Sequence, residues 1–122
     1  MNEVFAFEQL DVYQVARRYV KNVYLLSERF PRKEDFALTS QIRRAAVSVT
    51  SNIAEGTSRF SVNDKSHFIE IAYGSLMETY SQLQVALDLM YIKQTDVEEI
   101  LPLIVELRNR LSALRKSYAE KK

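Results

Sequence analysis

The side chains best suited to acid–base or metal chemistry in this 122-residue sequence are one histidine, His67, and sixteen carboxylates. Metal sites in helical bundles take Glu-x-x-His pairs from two helices together with further inward glutamates. Only Asp64 and Glu70 stand near His67, and no second motif of that kind exists. His67 therefore reads as a surface or first-turn residue. Ser48, Ser51 and Ser75 have no partner base within their segments, which a hydroxyl nucleophile needs. Cysteine is absent, so disulfides, thiolate metal sites and a cysteine nucleophile are excluded, in keeping with a reducing compartment. Two well-separated glycines, Gly56 and Gly74, make no phosphate-cradling loop. The expectation is a chain that is not an enzyme and takes no cofactor, metal or small-molecule substrate.

Phosphate recognition is the chemistry that remains. The formal net charge is only +1, so the case rests on how charge is distributed. Residues 17–44 carry eight basic side chains against three acidic ones, whereas residues 62–106 carry two basic and eight acidic. From Leu107 onward six basic residues meet Glu120 alone. Within the first of these segments Arg17, Arg18 and Lys21 project opposite the apolar face of their helix, and Arg43 and Arg44 leave theirs away from Ile42. These five are the candidate phosphate-binding residues; the plain alternative is a solvated face or pairing with acidic partners.

The elements that must position them are helical. Two glycines and two prolines are too few for a fold of many tight turns. Breaks fall at Phe30-Pro31-Arg32-Lys33, at Gly56 through Phe60 and near Ile92 to Thr95, which predicts four helices at about 8–29, 34–55, 61–91 and 95–119. Short connections make neighbours antiparallel. The fold class expected is all-α, an up-and-down antiparallel four-helix bundle in a single domain spanning 1–122.

Apolar spacing supplies the core faces: Val12, Ala16, Tyr19, Val23 and Leu26 on helix one; Leu38, Ile42, Ala45, Val49 and Ile53 on helix two; Phe68, Ala72, Leu76, Thr79, Leu83, Ala86 or Leu87, and Met90 on helix three; Ile100, Ile104, Leu107, Leu111, Leu114 and Tyr118 on helix four. Gly56 is expected to end helix two in a left-handed cap. Ser61 with Asp64, and Thr95 with Glu98, read as capping boxes. Pro102 should kink helix four or mark its true first turn.

Two features exceed what a bundle core requires. A polar stripe at Gln41, Ser48, Asn52 and Glu55 runs beside the core line of helix two, as an inter-helix network or a groove. Tyr73, Met77, Tyr80 and Tyr91 widen the apolar arc of helix three; with Leu25 on the charged side of helix one they form a candidate oligomer interface, the alternative being that the tyrosines simply broaden the core. Gly74, mid-helix, is read as allowing close approach by another helix.

The run Gln41-Ile42-Arg43-Arg44-Ala45-Ala46-Val47-Ser48-Val49-Thr50-Ser51-Asn52-Ile53-Ala54-Glu55-Gly56 resembles the signature of the bacterial four-helix-bundle family that includes the 23S rRNA intervening-sequence proteins. Residues Phe7 to Gln14 with Phe30-Pro31 resemble its N-terminal motif, and Ala72-Tyr73-Gly74-Ser75-Leu76-Met77-Glu78 its third-helix motif. The resemblance spans nearly the whole chain. It implies a homopentameric barrel of bundles and a nucleic-acid-linked accessory role, since the Avd accessory proteins of diversity-generating retroelements are distant relatives.

No segment approaches the roughly 20 apolar residues of a membrane helix, and the start lacks a signal-peptide pattern. The function expected is thus a cytoplasmic, oligomeric accessory factor binding RNA or DNA phosphates, the alternative a protein–protein scaffold with no nucleic-acid role.

Overall fold

A computed structural model describes residues 4–121; Lys122, counted above among the basic C-terminal residues, lies outside them. Four helices follow a short 3-10 turn at Ala6–Gln9: α1 (Asp11–Ser27), α2 (Leu38–Ser58), α3 (Val62–Asp88) and α4 (Gln94–Ala119). They pack as a square in chain order, α1 against α2, α2 against α3, α3 against α4 and α4 back against α1, without diagonal backbone contact. Among the described residues there is no strand. This is the all-α four-helix arrangement expected.

The core lines are largely those anticipated. Val12, Ala16, Tyr19 and Val23 are buried on α1, Ile42, Ala45, Val49 and Ile53 on α2, Ala72, Leu76, Thr79 and Leu83 on α3, and Ile100, Ile104, Leu107, Leu111 and Tyr118 on α4. Ile69 rather than Phe68 fills the first core position of α3. Met90 corrects the expectation more sharply. It is 85% exposed and adopts a left-handed conformation with φ of 64°, so α3 ends at Asp88 and not at Tyr91. The turn that follows has the Tyr91 amide on the Ala86 carbonyl at 2.9 Å and the Met90 amide on the Leu87 carbonyl at 3.0 Å, a hydrogen-bond pair that satisfies the last carbonyls of a helix and normally places glycine where Met90 stands.

The other ends depart from expectation for local reasons. Glu34 closes the 3-10 turn at Arg32–Glu34, and its carboxylate accepts from the Leu38 amide at 3.2 Å, which delays the start of α2. Gly56 does not terminate α2. It is a buried helical residue of ordinary φ, and a Cβ there would lie 3.0 Å from Phe68 Cβ and 3.2 Å from the Lys65 carbonyl oxygen. Its role is to let α3 cross close by, and the helix runs on to Ser58. Gly74 does the reverse, since an added Cβ would meet nothing within 4 Å, so no helix of the same chain approaches it. Ser61 caps α3, accepting from the Asp64 amide at 3.0 Å, but Asp64 does not return the bond to the Ser61 amide, so the expected box is half formed. For α4 the cap is Asp96, whose carboxylate accepts from the Lys93 amide at 2.8 Å; the Thr95–Glu98 pairing is not formed. Pro102 is an exposed residue inside α4 rather than in its first turn. The carbonyl it leaves unpaired, that of Glu98, is on an exposed residue and open to water.

One end of the bundle is tied shut between the α1–α2 and α3–α4 connections. Tyr91 packs on Phe30 with ring centres 5.7 Å apart and donates to the Glu34 carboxylate at 2.7 Å, and Arg29 reaches Asp96 at 2.6 Å. The Tyr91 hydroxyl and the Leu38 amide hold the Glu34 carboxyl below the usual range. The Lys93 amide, and then Arg29, do the same for Asp96.

At the centre, Tyr19 spans the diagonal from α1 to α3 that no backbone contact bridges. Its hydroxyl lies 2.6 Å from Thr79 Oγ1, and Thr79 Oγ1 donates to the Leu76 carbonyl at 2.6 Å. Thr79 has one hydroxyl proton, so Tyr19 must be the donor in the first bond. Both residues are fully buried, and burial pushes the phenol pKa well up.

Thr79→Val strands a buried phenol and should cost about 1–3 kcal/mol in urea unfolding. Tyr19→Phe removes only one partner of a hydroxyl that keeps its carbonyl, and should cost nearer ~1 kcal/mol. The two glycines should respond with opposite signs. Gly56→Ala forces backbone movement at the α2–α3 crossing, for a loss of roughly 1–3 kcal/mol, while Gly74→Ala should raise the stability of the isolated chain by about 0.5–1 kcal/mol through helix propensity. Urea midpoints for the two variants check both.

Candidate nucleic-acid interface

Helical geometry divides the basic residues of α1 between two directions. Arg17 and Lys21 share a line with Tyr24, which faces α2, whereas Arg18 shares a line with Asn22, Leu25 and Arg29, on the side of α4. There Asn22, Leu25 and Arg29 line a shallow depression with the acidic residues Asp96 and Glu99. Arg17, Arg18 and Lys21 are all exposed. Arg17 makes a 3.1 Å hydrogen bond to Gln14 on its own helix, and no carboxylate lies within ion-pair distance of Arg17, Arg18 or Lys21 among the described residues.

Arg43 and Arg44, adjacent in sequence, are used differently. Arg43 lies 4.7 Å over the ring of Tyr24 and donates from Nε to the Ser27 hydroxyl at 2.8 Å. It stitches α2 to α1, with its terminal nitrogen at 3.4 Å from the Tyr24 carbonyl. Arg44 is exposed and beside Gln41, Ser48, Ser75 and Glu78 at the α2–α3 edge. The five predicted phosphate ligands are thus spread over three neighbouring faces and do not converge on one point. Sequence reasoning missed Tyr24 and Ser27; their i, i+3 spacing on helix one was the available signal that they form one docking point.

The polar stripe of α2 divides as well. Ser48 Oγ lies 2.8 Å from Ser75 Oγ on α3, and Asn52 Nδ2 donates to both the carbonyl and the hydroxyl of Ser48, at 2.8 and 2.9 Å. Ser48 and Asn52 are therefore members of an inter-helix network that includes Ser75. Gln41 stays exposed, and Glu55 is an exposed residue 3.5 Å from Arg59.

Of the candidate interface residues, Tyr73, Met77, Tyr80 and Tyr91 are half-buried and pack against the bundle's own core, while Leu25 is 55% exposed. Larger exposed apolar groups lie elsewhere: Phe36 and Phe60 are fully exposed, and Met90, Leu89 and Val85 cluster at the C-terminal end of α3. His67 is exposed, and among the described residues no three His, Asp or Glu side chains converge as metal ligands.

Arg43→Ala should lower stability by about 1 kcal/mol, the worth of its stack and hydrogen bond, read as a melting temperature several degrees lower. Arg44→Ala should stay within about 0.5 kcal/mol of the parent.

Comparison with known proteins fits this architecture. A crystal structure of a protein of unknown function from the S23 ribosomal protein family of Bacteroides thetaiotaomicron VPI-5482 superposes with a TM-score of 0.78 at 23% identity, covering 86% of this chain and 95% of that one. No curated protein matches. Among the described residues no helix is long and apolar enough to cross a membrane. The model of the family described as 23S rRNA-intervening sequence protein matches residues 8–113, and the chain belongs to that family.

Proposed function

We propose that this chain is a non-enzymatic, cytoplasmic accessory protein that self-associates and binds the phosphates of RNA or DNA through basic residues on α1 and α2, as the homopentamer that the family resemblance implies. The observation that carries the reading is the contrast between two sets of basic residues. Arg29, Arg59, Arg110 and Arg115 are each within 4 Å of a carboxylate, at Asp96, Glu55, Glu106 and Glu70 respectively. Arg17, Arg18, Lys21 and Arg44 are exposed and meet none among the described residues.

Exposed cations without internal partners keep their charge for an external anion, and phosphate backbones reward this by releasing condensed counterions. A single copy offers few such contacts. Repetition around an oligomer multiplies them along one strand, and linked weak sites bind far more tightly than each alone. The contacts are to backbone phosphate, because no helix-turn-helix or aromatic stacking motif stands on α1 to read bases. A scaffold role for other proteins is the second reading, favoured by the fully exposed Phe36 and Phe60.

Fluorescence anisotropy with a labelled single-stranded RNA over a salt series tests the proposal. Affinity should fall linearly on a log–log plot with a slope of about −0.7 per phosphate contacted. Reversing Arg17, Arg18, Lys21 and Arg44 to Glu should flatten that slope and weaken binding at least about tenfold at low salt, with the helical signal retained. Unchanged affinity in the reversed variant would sink the phosphate reading. Arg43→Glu is kept apart because its loss also loosens α1 from α2.

A further inference from the structure

The end of the bundle closed by Tyr91, Glu34, Arg29 and Asp96 is held by two carboxylates that each serve two elements. Glu34 Oε1 accepts from the Leu38 amide at 3.2 Å, at the start of α2, while its Oε2 accepts from the Tyr91 hydroxyl at 2.7 Å on the α3–α4 connection. Asp96 Oδ2 accepts from the Lys93 amide at 2.8 Å, at the start of α4, while its Oδ1 meets Arg29 at 2.6 Å on the α1–α2 connection. Each group thus uses one oxygen to satisfy an amide at its own helix N-terminus and the other to hold the opposite connection. Among the described residues no other side-chain hydrogen bond or ion pair joins the two connections.

The geometry points to a latch that opens as one unit under acid, releasing the two connections from each other while the helices stay packed. Little else holds these connections. Arg32, Lys33 and Phe36 on one, and Leu89, Met90 and Lys93 on the other, are exposed. What the latch covers is the contact of Phe30 with Tyr91 and the buried Ile92. The two ties depend on one another, since if one lets go the other must hold the same two segments alone. Local opening of this kind starts where buried apolar contacts are few and hydrogen bonds lie near water.

The ties differ in how they meet a proton. Glu34 faces the Leu38 amide, the Tyr91 hydroxyl and the charge of Lys33. A phenol both donates and accepts, so a protonated Glu34 can donate to Tyr91 and keep the contact with its direction reversed. Asp96 faces the Lys93 amide, Arg29 and the charge of Lys93, with Asn22 and Glu99 lining the same depression. An amide N–H and a guanidinium only donate, so a proton on Asp96 sets donor against donor and costs one of the two bonds. Both carboxyls are held below the ordinary range of about 4. Their contribution is therefore complete above that range and is lost as the pH falls through their lowered values. Protonation also removes negative charge from the positive ends of α2 and α4. Asp96 is the acid-labile member of the pair.

Amide hydrogen exchange by NMR on the full chain tests the latch, with rates corrected for the intrinsic effect of pH and helical content checked at each step. In the parent, lowering the pH from about 6 to about 3 should accelerate exchange at Leu38, Tyr91 and Lys93 together. The change should be at least about tenfold, as loss of a hydrogen bond to a charged group is, with the Val49 and Leu76 amides still protected. Asp96→Asn, which offers one acceptor where two are needed, should do the same near neutral pH at Tyr91 and at Leu38, across the latch from the substitution. Glu34→Gln can still accept from Leu38 and donate to Tyr91, and should exchange like the parent. Acceleration confined to Lys93 would reduce Asp96 to an ordinary helix cap and overturn the proposal. So would loss of protection at Val49 and Leu76 in step with the connections, which is unfolding of the whole, or a Glu34→Gln chain as open as Asp96→Asn. An acid titration of the parent that moves none of the three amides overturns it without recourse to any variant.

Discussion

The bundle turns on a hydrogen-bonded chain at its centre, from the Tyr19 hydroxyl to Thr79 Oγ1 to the Leu76 carbonyl. Apolar faces alone permit helices to slide and rotate with little penalty, since one methyl contact resembles the next. A phenol buried beyond reach of water has no such freedom, because losing its partner costs the desolvation of the group. Tyr19 therefore sets the height of α1 against α3 across the diagonal where their backbones never meet. Gly56 sets the other coordinate by holding α2 and α3 at a separation that a methyl group would prevent. With those two settled, Ser48, Asn52 and Ser75 fall into hydrogen-bonding range along the α2–α3 seam, and Arg43 meets Tyr24 and Ser27 along the α1–α2 seam.

The same registration distributes charge. Side chains that the packing enlists lose their availability to outside partners, as Arg43 does by stacking and Arg115 by pairing with Glu70. Those that the packing leaves alone form the external field of the molecule. A formal net charge of +1 hides this, because the basic and acidic halves cancel in the sum and not in space. The α1–α2 edge is a cationic strip and the early part of α4 an anionic one, and the three-dimensional order of the helices sets the second beside α1, where Arg29 meets Asp96.

Fold was legible in the sequence to the extent that local patterns carry it. The three- and four-residue spacing of Val12, Ala16, Tyr19 and Val23, or of Ile100, Ile104, Leu107 and Leu111, can be satisfied by one helical face and by little else. Ends were harder, since they depend on competition between a local signal and a tertiary one. Gly56 has the type of a helix stop, but the demand for close approach by α3 decides its conformation. Met90 fits the apolar repeat of α3, yet Leu87, Ala86 and Tyr91 close the helix before it can enter the core. The surface was least legible of all. Arg43 and Arg44 are neighbours of identical chemistry, and what separates them is 100° of helical rotation that places one over Tyr24 and the other at an open edge.

Strain and exposure at the closed end have a common origin. The connection from α3 to α4 is short, and it must deliver Tyr91 onto Phe30 and Glu34 while presenting Asp96 to Arg29 and the Lys93 amide. Turning the chain tightly enough to do this calls for a left-handed residue, and the sequence puts methionine there. Glycine would make the same turn without strain and without a side chain. The difference between them, inside the fold, is entirely unfavourable to methionine, since Met90 contributes nothing to the core it was spaced to join. What holds Met90 in place is the turn itself: the Tyr91 amide on the Ala86 carbonyl, the Met90 amide on the Leu87 carbonyl, and the contacts of Tyr91 with Phe30 and Glu34 over-determine the conformation that the side chain alone would not favour.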